Sequence, residues 1–151
     1  MIEARKLRLK LESTLDSIEA AELIVQRMAE LNGFDEDQVH QIGMGVRETV
    51  ANAVKHGNRY CSDKSVAFDA SIDEVAFRVT VTDQGLGFAP DCVPDPLQGE
   101  NLLMASGRGL LLMRAFFDEV DVGTCDGSGT RVRLVKYRTT GSGGAAQEEV
   151  Q

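Results

Sequence analysis

The sequence predicts an α/β (α+β) two-layer sandwich, with helices on one face of a mixed, mostly antiparallel sheet. Three observations predict it. Period-two alternation of apolar and polar residues marks strands near both ends of the chain and in its middle. Helical spacing of apolar residues marks two consecutive helices after the first strand. The resulting order is β-α-α-β-β-loop-α-β-β, which groups helices against a sheet.

The elements follow in turn. Leu7, Leu9 and Leu11 alternate with Arg8, Lys10 and Glu12, so the chain opens with a strand. Ser13, with Asp16 three places on, reads as an N-cap signal. Ile18, Ala21, Val25, Met28 and Leu31 recur at helical spacing, and Gly33 stands where a helix ends. A second helix starts near Asp35, with Gln38 three residues on. Its core stripe is Val39, Ile42, Val46, Val50 and Ala53, and it ends near Gly57-Asn58. Val66, Phe68 and Ala70 form one strand face. Val75, Phe77, Val79 and Val81 form the next, with Arg78, Thr80 and Thr82 opposite and Asp73-Glu74 as the turn between them. From Asp83 to Arg108 periodicity disappears among Pro90, Pro94, Pro96 and several glycines. A loop of about 25 residues inside a domain is more often functional than incidental. A short apolar helix over Leu110 to Phe117 follows, then a strand with Val120 and Val122. A turn at Asp126-Gly127-Ser128-Gly129 leads to a last strand with Val132, Leu134 and Tyr137. Residues 1–138 read as one domain and 139–151 as a disordered polar tail.

Composition narrows the function classes. The chain has 151 residues, 42% hydrophobic and 26% charged, which is globular and excludes wholesale disorder. Sixteen Lys and Arg against 24 Asp and Glu give a net charge of −8, which opposes binding to nucleic acids and anionic membranes. No apolar run approaches the roughly 18 residues of a membrane span, and Met1 to Lys6 lacks a signal peptide's apolar stretch. Cys61, Cys92 and Cys125 are odd in number and far apart, as in a reduced, cytoplasmic protein. With His40 and His56 as its only histidines, the chain offers no zinc-ligand pattern.

Three constellations carry chemistry. Glu48, Asn52 and His56 are spaced four apart on a helix, so they stack along one face, pointing away from the core stripe. That face is a solvated surface unless a cleft borders it. With a cleft, the carboxylate serves as a general base and the amide oxygen as a ligand for a hard cation such as Mg²⁺. Next, Asp83-Gln84-Gly85-Leu86-Gly87 directly follows a strand. It reads either as a strand-ending turn or as a ligand loop, with Asp83 accepting from an exocyclic amine and the glycines admitting a planar ring. Third, Ser106-Gly107-Arg108-Gly109 opens the apolar helix. Helix N-termini present free N–H groups and positive dipole to phosphates, and an arginine adds a guanidinium fork. Otherwise this stretch is a loop end with a surface arginine. The dinucleotide fingerprint fails, since Leu112 stands at its third glycine, and a Walker A loop is absent.

The order of these pieces resembles the GHKL, or Bergerat-fold, ATP-binding domain, from Glu48 to Val135. Glu48 to Gly57 and Ser106 to Val120 are similar to the anti-sigma factor serine/threonine kinase branch of that family, whose members are also short. The resemblance implies that Glu48 is the base for a protein serine or threonine hydroxyl. It implies that Asn52 ligates Mg²⁺ on the ATP triphosphate. Asp83 would accept from adenine N6 with Gly85 and Gly87 beside the ring, and residues from about Phe88 to Ser106 would form an ATP lid. Gly107 and Gly109 would face phosphate with Arg108 as a further contact, and Thr130 would lie near adenine. Lys55 and His56 would border the site. The implied partners are an anti-anti-sigma (STAS) protein as phosphate acceptor, a sigma factor, and a second copy of the chain in a homodimer. Neither nucleic acid nor membrane is bound directly. The same motifs also suit a non-catalytic ATP-binding switch that regulates a partner by binding alone.

Overall fold

The computed structural model describes residues 5–85, 109–124 and 129–138. Its elements are β1 (Arg5–Glu12), α1 (Leu15–Leu31), α2 (Glu36–Asn52), a π-helical turn (Ala53–Gly57), β2 (Ser65–Ile72), β3 (Ala76–Thr82), α3 (Gly109–Phe116), β4 (Glu119–Thr124) and β5 (Thr130–Tyr137). The strands form one five-stranded sheet in the order β1-β2-β3-β5-β4, and every neighbouring pair is antiparallel. The architecture is the α/β sandwich that the alternation and helical periodicity predict. The long segment after Asp83 and the polar tail fall mostly outside the described residues, and so do Cys92 and Cys125.

Register explains the layering. Leu9, Phe68, Val81, Val132 and Val122 lie in one row across the sheet. Leu7, Ala70, Val79, Leu134 and Val120 lie in the next row on the same face. This face packs against α1, α2 and α3 through Ile18, Val25, Ile42, Val46, Val50 and Met113. Each fully buried side chain of this size stabilises the fold by about 1.5–3 kcal/mol. The opposite face presents Arg8, Asp69, Arg133 and Asp121 to solvent, with an ion pair between Arg8 and Asp69.

The ends of the elements correct several expectations. Thr14, not Ser13, caps α1: its Oγ1 accepts from the Ser17 N–H at 3.3 Å. Ser13 is buried and donates instead to the Lys64 carbonyl. Ala29 takes the last core position of α1, whereas Leu31 is 69% exposed, because the stripe of a 3.6-residue helix has rotated by the final turn. Asp35 and Gln38 form the reciprocal capping box at the start of α2. Val75 lies in the β2–β3 turn and is exposed. Asp73 Oδ1 accepts from the Val75 and Ala76 amides there, so β3 starts at Ala76, one residue later than expected. Tyr137 faces away from Val132 and Leu134, and donates to Glu119. Lys136 takes the inward position and donates to Gln41 Oε1 at 2.9 Å and the Phe116 carbonyl at 2.8 Å, tying α2 and the end of α3 to the sheet. The Phe117 ring lies directly on Gly45, where a Cβ would overlap it, so α2 and the end of α3 approach closely.

Candidate functional site

A pocket opens where the end of α2 meets β3 and β5, lined by Thr49, Asn52, Ala53, Val81, Asp83, Thr130 and Val132. Ala53, Val81 and Val132 make apolar walls. Asp83, Asn52 and Thr130 bring polar atoms to them. A few convergent polar groups on apolar walls are the usual make-up of a small-molecule site.

Asp83 is positioned by backbone on three sides. It follows β3, and its N–H donates to the Thr130 carbonyl at 3.0 Å, extending the β3–β5 ladder by one residue. Its Oδ1 accepts from the Gly85 N–H at 2.9 Å and the Thr130 N–H at 3.0 Å. Both bonds end on the same oxygen, so Oδ2 keeps its acceptor capacity. The residue is 7% exposed. Burial pushes its carboxyl above the usual carboxylate range, and the Gly85 and Thr130 amides, with the Lys64 charge, oppose that rise.

Three glycines let the chain close around this carboxylate. A Cβ on Gly57 would overlap Asp83 Oδ2, and one on Gly85 would overlap the Gly57 carbonyl. Gly129, at φ +85°, has its Cα against the Asp83 carbonyl, in a left-handed conformation that side chains disfavour.

Asn52 is 6% exposed, and its amide nitrogen is buried without a hydrogen-bond partner among the described residues. Such orphans are rare because leaving a buried donor unmade costs about 1–3 kcal/mol. Asn52 is therefore not part of a solvated surface, which answers the simpler of the two readings of this helix face. Thr49, one position beyond Glu48, is also buried and satisfies its hydroxyl within the helix by donating to the Gly45 carbonyl at 2.8 Å.

Of the three residues expected to stack, Glu48 and Asn52 lie on α2 and His56 lies in the π-helical turn that follows it. At Ala53 the helix widens into a π-helical turn, with the Asn58 N–H donating to the Ala53 carbonyl five residues back at 2.8 Å. Gly57, the last residue of that turn, lies directly against Asp83. Of the expected site residues, Asn52, Asp83 and Thr130 line the pocket, and Gly85 is not in the lining but donates its N–H to Asp83. Glu48 is half-buried on the turn before Asn52, outside the lining; His56 is half-buried and Lys55 exposed, and neither lines it. Gly109 is buried at the start of α3. Gly87, Gly107 and Arg108 lie outside the described residues, as does the expected lid from about Phe88 to Ser106.

Sequence reasoning missed Thr49, Gly57 and Asn58 as parts of the site. Glycine at 57, directly after a helical run, was a signal of close approach. Thr49 and Asn58 carried no pattern of their own.

The comparisons bear on this geometry. The family described as Histidine kinase-like ATPase domain matches residues 11–136. The chain is similar to the Anti-sigma F factor of Halalkalibacterium halodurans, 36% identical over 105 residues, covering 68% of this chain and 72% of that one. The Anti-sigma F factor of Bacillus thuringiensis is 32% identical over 103 residues, covering 67% of this chain and 70% of that one. Among solved structures, the RsbU and RsbW domains of Rv1364c from Mycobacterium tuberculosis align with a TM-score of 0.64 at 21% identity. That alignment covers 89% of this chain and 33% of the other, and shows a shared fold.

Proposed function

The chain belongs to the histidine kinase-like ATPase family, in its anti-sigma factor branch, and from that premise we propose that it is an ATP-dependent serine/threonine protein kinase that also sequesters a sigma factor. The observation that carries the nucleotide assignment is the Asp83 carboxylate. It is buried, is held on Oδ1 by two amides, and lines the same pocket as Ala53, Val81, Val132 and Asn52, whose amide nitrogen has no hydrogen-bond partner among the described residues.

In this reading Asp83 Oδ2 accepts a hydrogen bond from the exocyclic amine of adenine. Ala53, Val81 and Val132 exclude water from the ring, and Thr130 and Gly85 flank it. Lys55 and His56 border the nucleotide from the π-helical turn. Of the residues that the resemblance assigns to phosphate, Gly109 opens α3, where a helix N-terminus favours an anion, and Gly107 and Arg108 directly precede it in the sequence as further phosphate contacts. The side-chain oxygen of Asn52 suits Mg²⁺, which takes few protein ligands beside substrate phosphates. Bound there, Mg²⁺ would neutralise charge on the triphosphate. Among the described residues no group of three His, Cys, Asp or Glu side chains gathers to hold a cation by itself.

Glu48 takes the proton of the acceptor's serine or threonine hydroxyl as that oxygen bonds the γ-phosphorus and ADP leaves. Phosphoryl transfer is largely positioning and charge stabilisation, so a proton acceptor, a helix N-terminus and an arginine suffice. The acceptor is a protein, an anti-anti-sigma (STAS) partner, and the chain works as a cytoplasmic homodimer whose single domain spans 1–138. No helix among the described residues is long and apolar enough to cross a membrane.

Calorimetry with Mg-ATP, using Asp83→Asn as control, tests the site. Incubation with a STAS protein and Mg-ATP, read by mass spectrometry, tests the transfer. Glu48→Ala is expected to bind Mg-ATP as wild type does, and to transfer phosphate about 10²–10⁴-fold more slowly. Undiminished transfer by Glu48→Ala removes Glu48 from the base role. Tight Mg-ATP binding with no phosphorylated partner leaves the non-catalytic switch.

A further inference from the structure

We propose that Asn58 is a positioning residue that holds the Asp83 carboxylate in place, and so sets the preference for a nucleotide base with an exocyclic amine. This rests on the nucleotide reading of the pocket. Asn58 is 1% exposed and ends the π-helical turn. Its Oδ1 accepts from the Gln84 N–H at 2.7 Å. Its Nδ2 donates to Ser13 Oγ at 2.9 Å and to the Ser65 carbonyl at 3.0 Å. One side chain thus joins the β1–α1 junction, the start of β2 and the segment that follows β3.

Both amide hydrogens and the amide oxygen are committed to protein groups, and Asn58 does not line the pocket. It therefore acts through another residue. That residue is reached in one step. Gln84 lies between Asp83 and Gly85, and the Gly85 N–H returns to Asp83 Oδ1. Residues 83–85 thus form a closed turn whose middle amide is held by Asn58. The turn is seated on the Gly57 carbonyl, one residue before Asn58. Anchoring the middle amide fixes where the turn sits above the π-helical turn, and with it the direction of Oδ2. The Gln84 side chain adds a second tie, accepting from the Ser65 N–H.

The test compares wild type, Asn58→Ala and Asn58→Asp at a temperature where circular dichroism shows each folded. Without ligand, amide hydrogen exchange is read at Gln84, Gly85 and Thr130. In wild type the three amides open together, with one common protection factor. In Asn58→Ala all three exchange at least about tenfold faster, since two of them depend on the carboxylate that Asn58 positions. In Asn58→Asp, which keeps the acceptor for Gln84 and loses the two donated bonds, Gly85 and Thr130 keep their protection although the protein melts lower. Faster exchange confined to Gln84, or independent opening in wild type, overturns the proposal.

With ligand, the ratio of affinities for Mg-ATP and for purine riboside triphosphate, which lacks the amine, is read by calorimetry. Asn58→Ala is expected to shrink the wild-type ratio by about tenfold, and Asn58→Asp to preserve it. A ratio unchanged in Asn58→Ala, or lost equally in both variants, assigns Asn58 a purely structural role. If Asn58→Ala does not fold, the wild-type exchange pattern and the Asn58→Asp ratio decide. If wild type binds neither nucleotide, the nucleotide reading fails, while the exchange measurements still decide whether Asn58 holds Asp83.

Discussion

Replacing Gly57 with alanine probes the contact on which the site's geometry depends. An ideal Cβ at position 57 would overlap Asp83 Oδ2 and Cγ and stand 3.0 Å from Asp83 Cβ, where approaches under 3.0 Å are essentially unknown for real side chains. The neighbour is not the free end of a flexible chain. Asp83 Oδ1 is held by the Gly85 and Thr130 amides, and its backbone is part of the ladder with Thr130. Relief by rotating the carboxylate breaks at least one bond to a charged acceptor, worth about 1.5–3 kcal/mol. Relief by moving the π-helical turn costs about 1–3 kcal/mol of overpacking strain. The cheaper route sets the cost, so the expected destabilisation is about 1–3 kcal/mol, a fall in Tm of about 3–10 °C for a chain of this size. Urea unfolding by circular dichroism measures it, and calorimetry on the folded protein measures Mg-ATP affinity, expected to fall at least about tenfold as Oδ2 turns away. Gly57→Ala with wild-type stability and wild-type affinity would refute the close approach and the role of Asp83 built on it.

Three further outcomes are expected. Because burial raises the Asp83 carboxyl, the folded protein holds a proton that the unfolded chain has already lost. Stability attributable to Asp83 is therefore greatest below the ordinary carboxylate range and declines as pH rises through the raised value. Mg-ATP affinity moves the other way, falling as pH falls through that value because the acceptor is protonated, and calorimetry across pH detects it. In Asp83→Asn the stability slope disappears. Asp73 shows the reverse sign: the Ala76 and Val75 amides, with Arg78, hold its carboxyl below the usual range. Its contribution is present above the ordinary value and is lost as pH falls through the lowered one, and because the side chain is solvent-exposed and screened, Asp73→Ala should cost no more than about 1 kcal/mol in urea unfolding at neutral pH. Phe117→Ala removes the ring that covers Gly45, with an expected cost of about 3–5 kcal/mol in the same assay.

Much of the fold was legible because its elements repeat. Val66, Phe68 and Ala70 alternate at period two, and Val39, Ile42, Val46 and Val50 recur at period 3.6. Burial of one face explains both patterns, and each side chain reports that burial directly. Single positions at element ends were less legible. Ser13 and Thr14 both suit a cap, and only the path of the chain into α1 selects Thr14. Val75 continues an apolar alternation, yet Asp73 takes the Val75 and Ala76 amides and makes the turn there. In β5 the inward position after Leu134 went to Lys136, whose ammonium finds the Phe116 carbonyl and Gln41, while Tyr137 faces out to Glu119.

For the candidate site, residue types and spacing offered Asn52, Asp83 and Gly85 beside the plainer readings of a solvated face and a strand-ending turn, and the order of the motifs, through the family resemblance, added Thr130. That they meet was beyond the sequence. Asp83 and Thr130 are 47 residues apart and become neighbours only because β5 pairs with β3 instead of β4 alone. The α-helical period of α2 gives way at Ala53 to a π-helical turn, which local propensity does not encode, and Gly57 at its end packs against Asp83. The sequence by itself determined the elements, the buried face of each and the chemical groups available. Tertiary structure alone decided which groups share a pocket, which oxygen of Asp83 takes the two amides, and which buried amide has no partner among the described residues, because those follow from contacts between segments far apart in the chain, where no local period carries information.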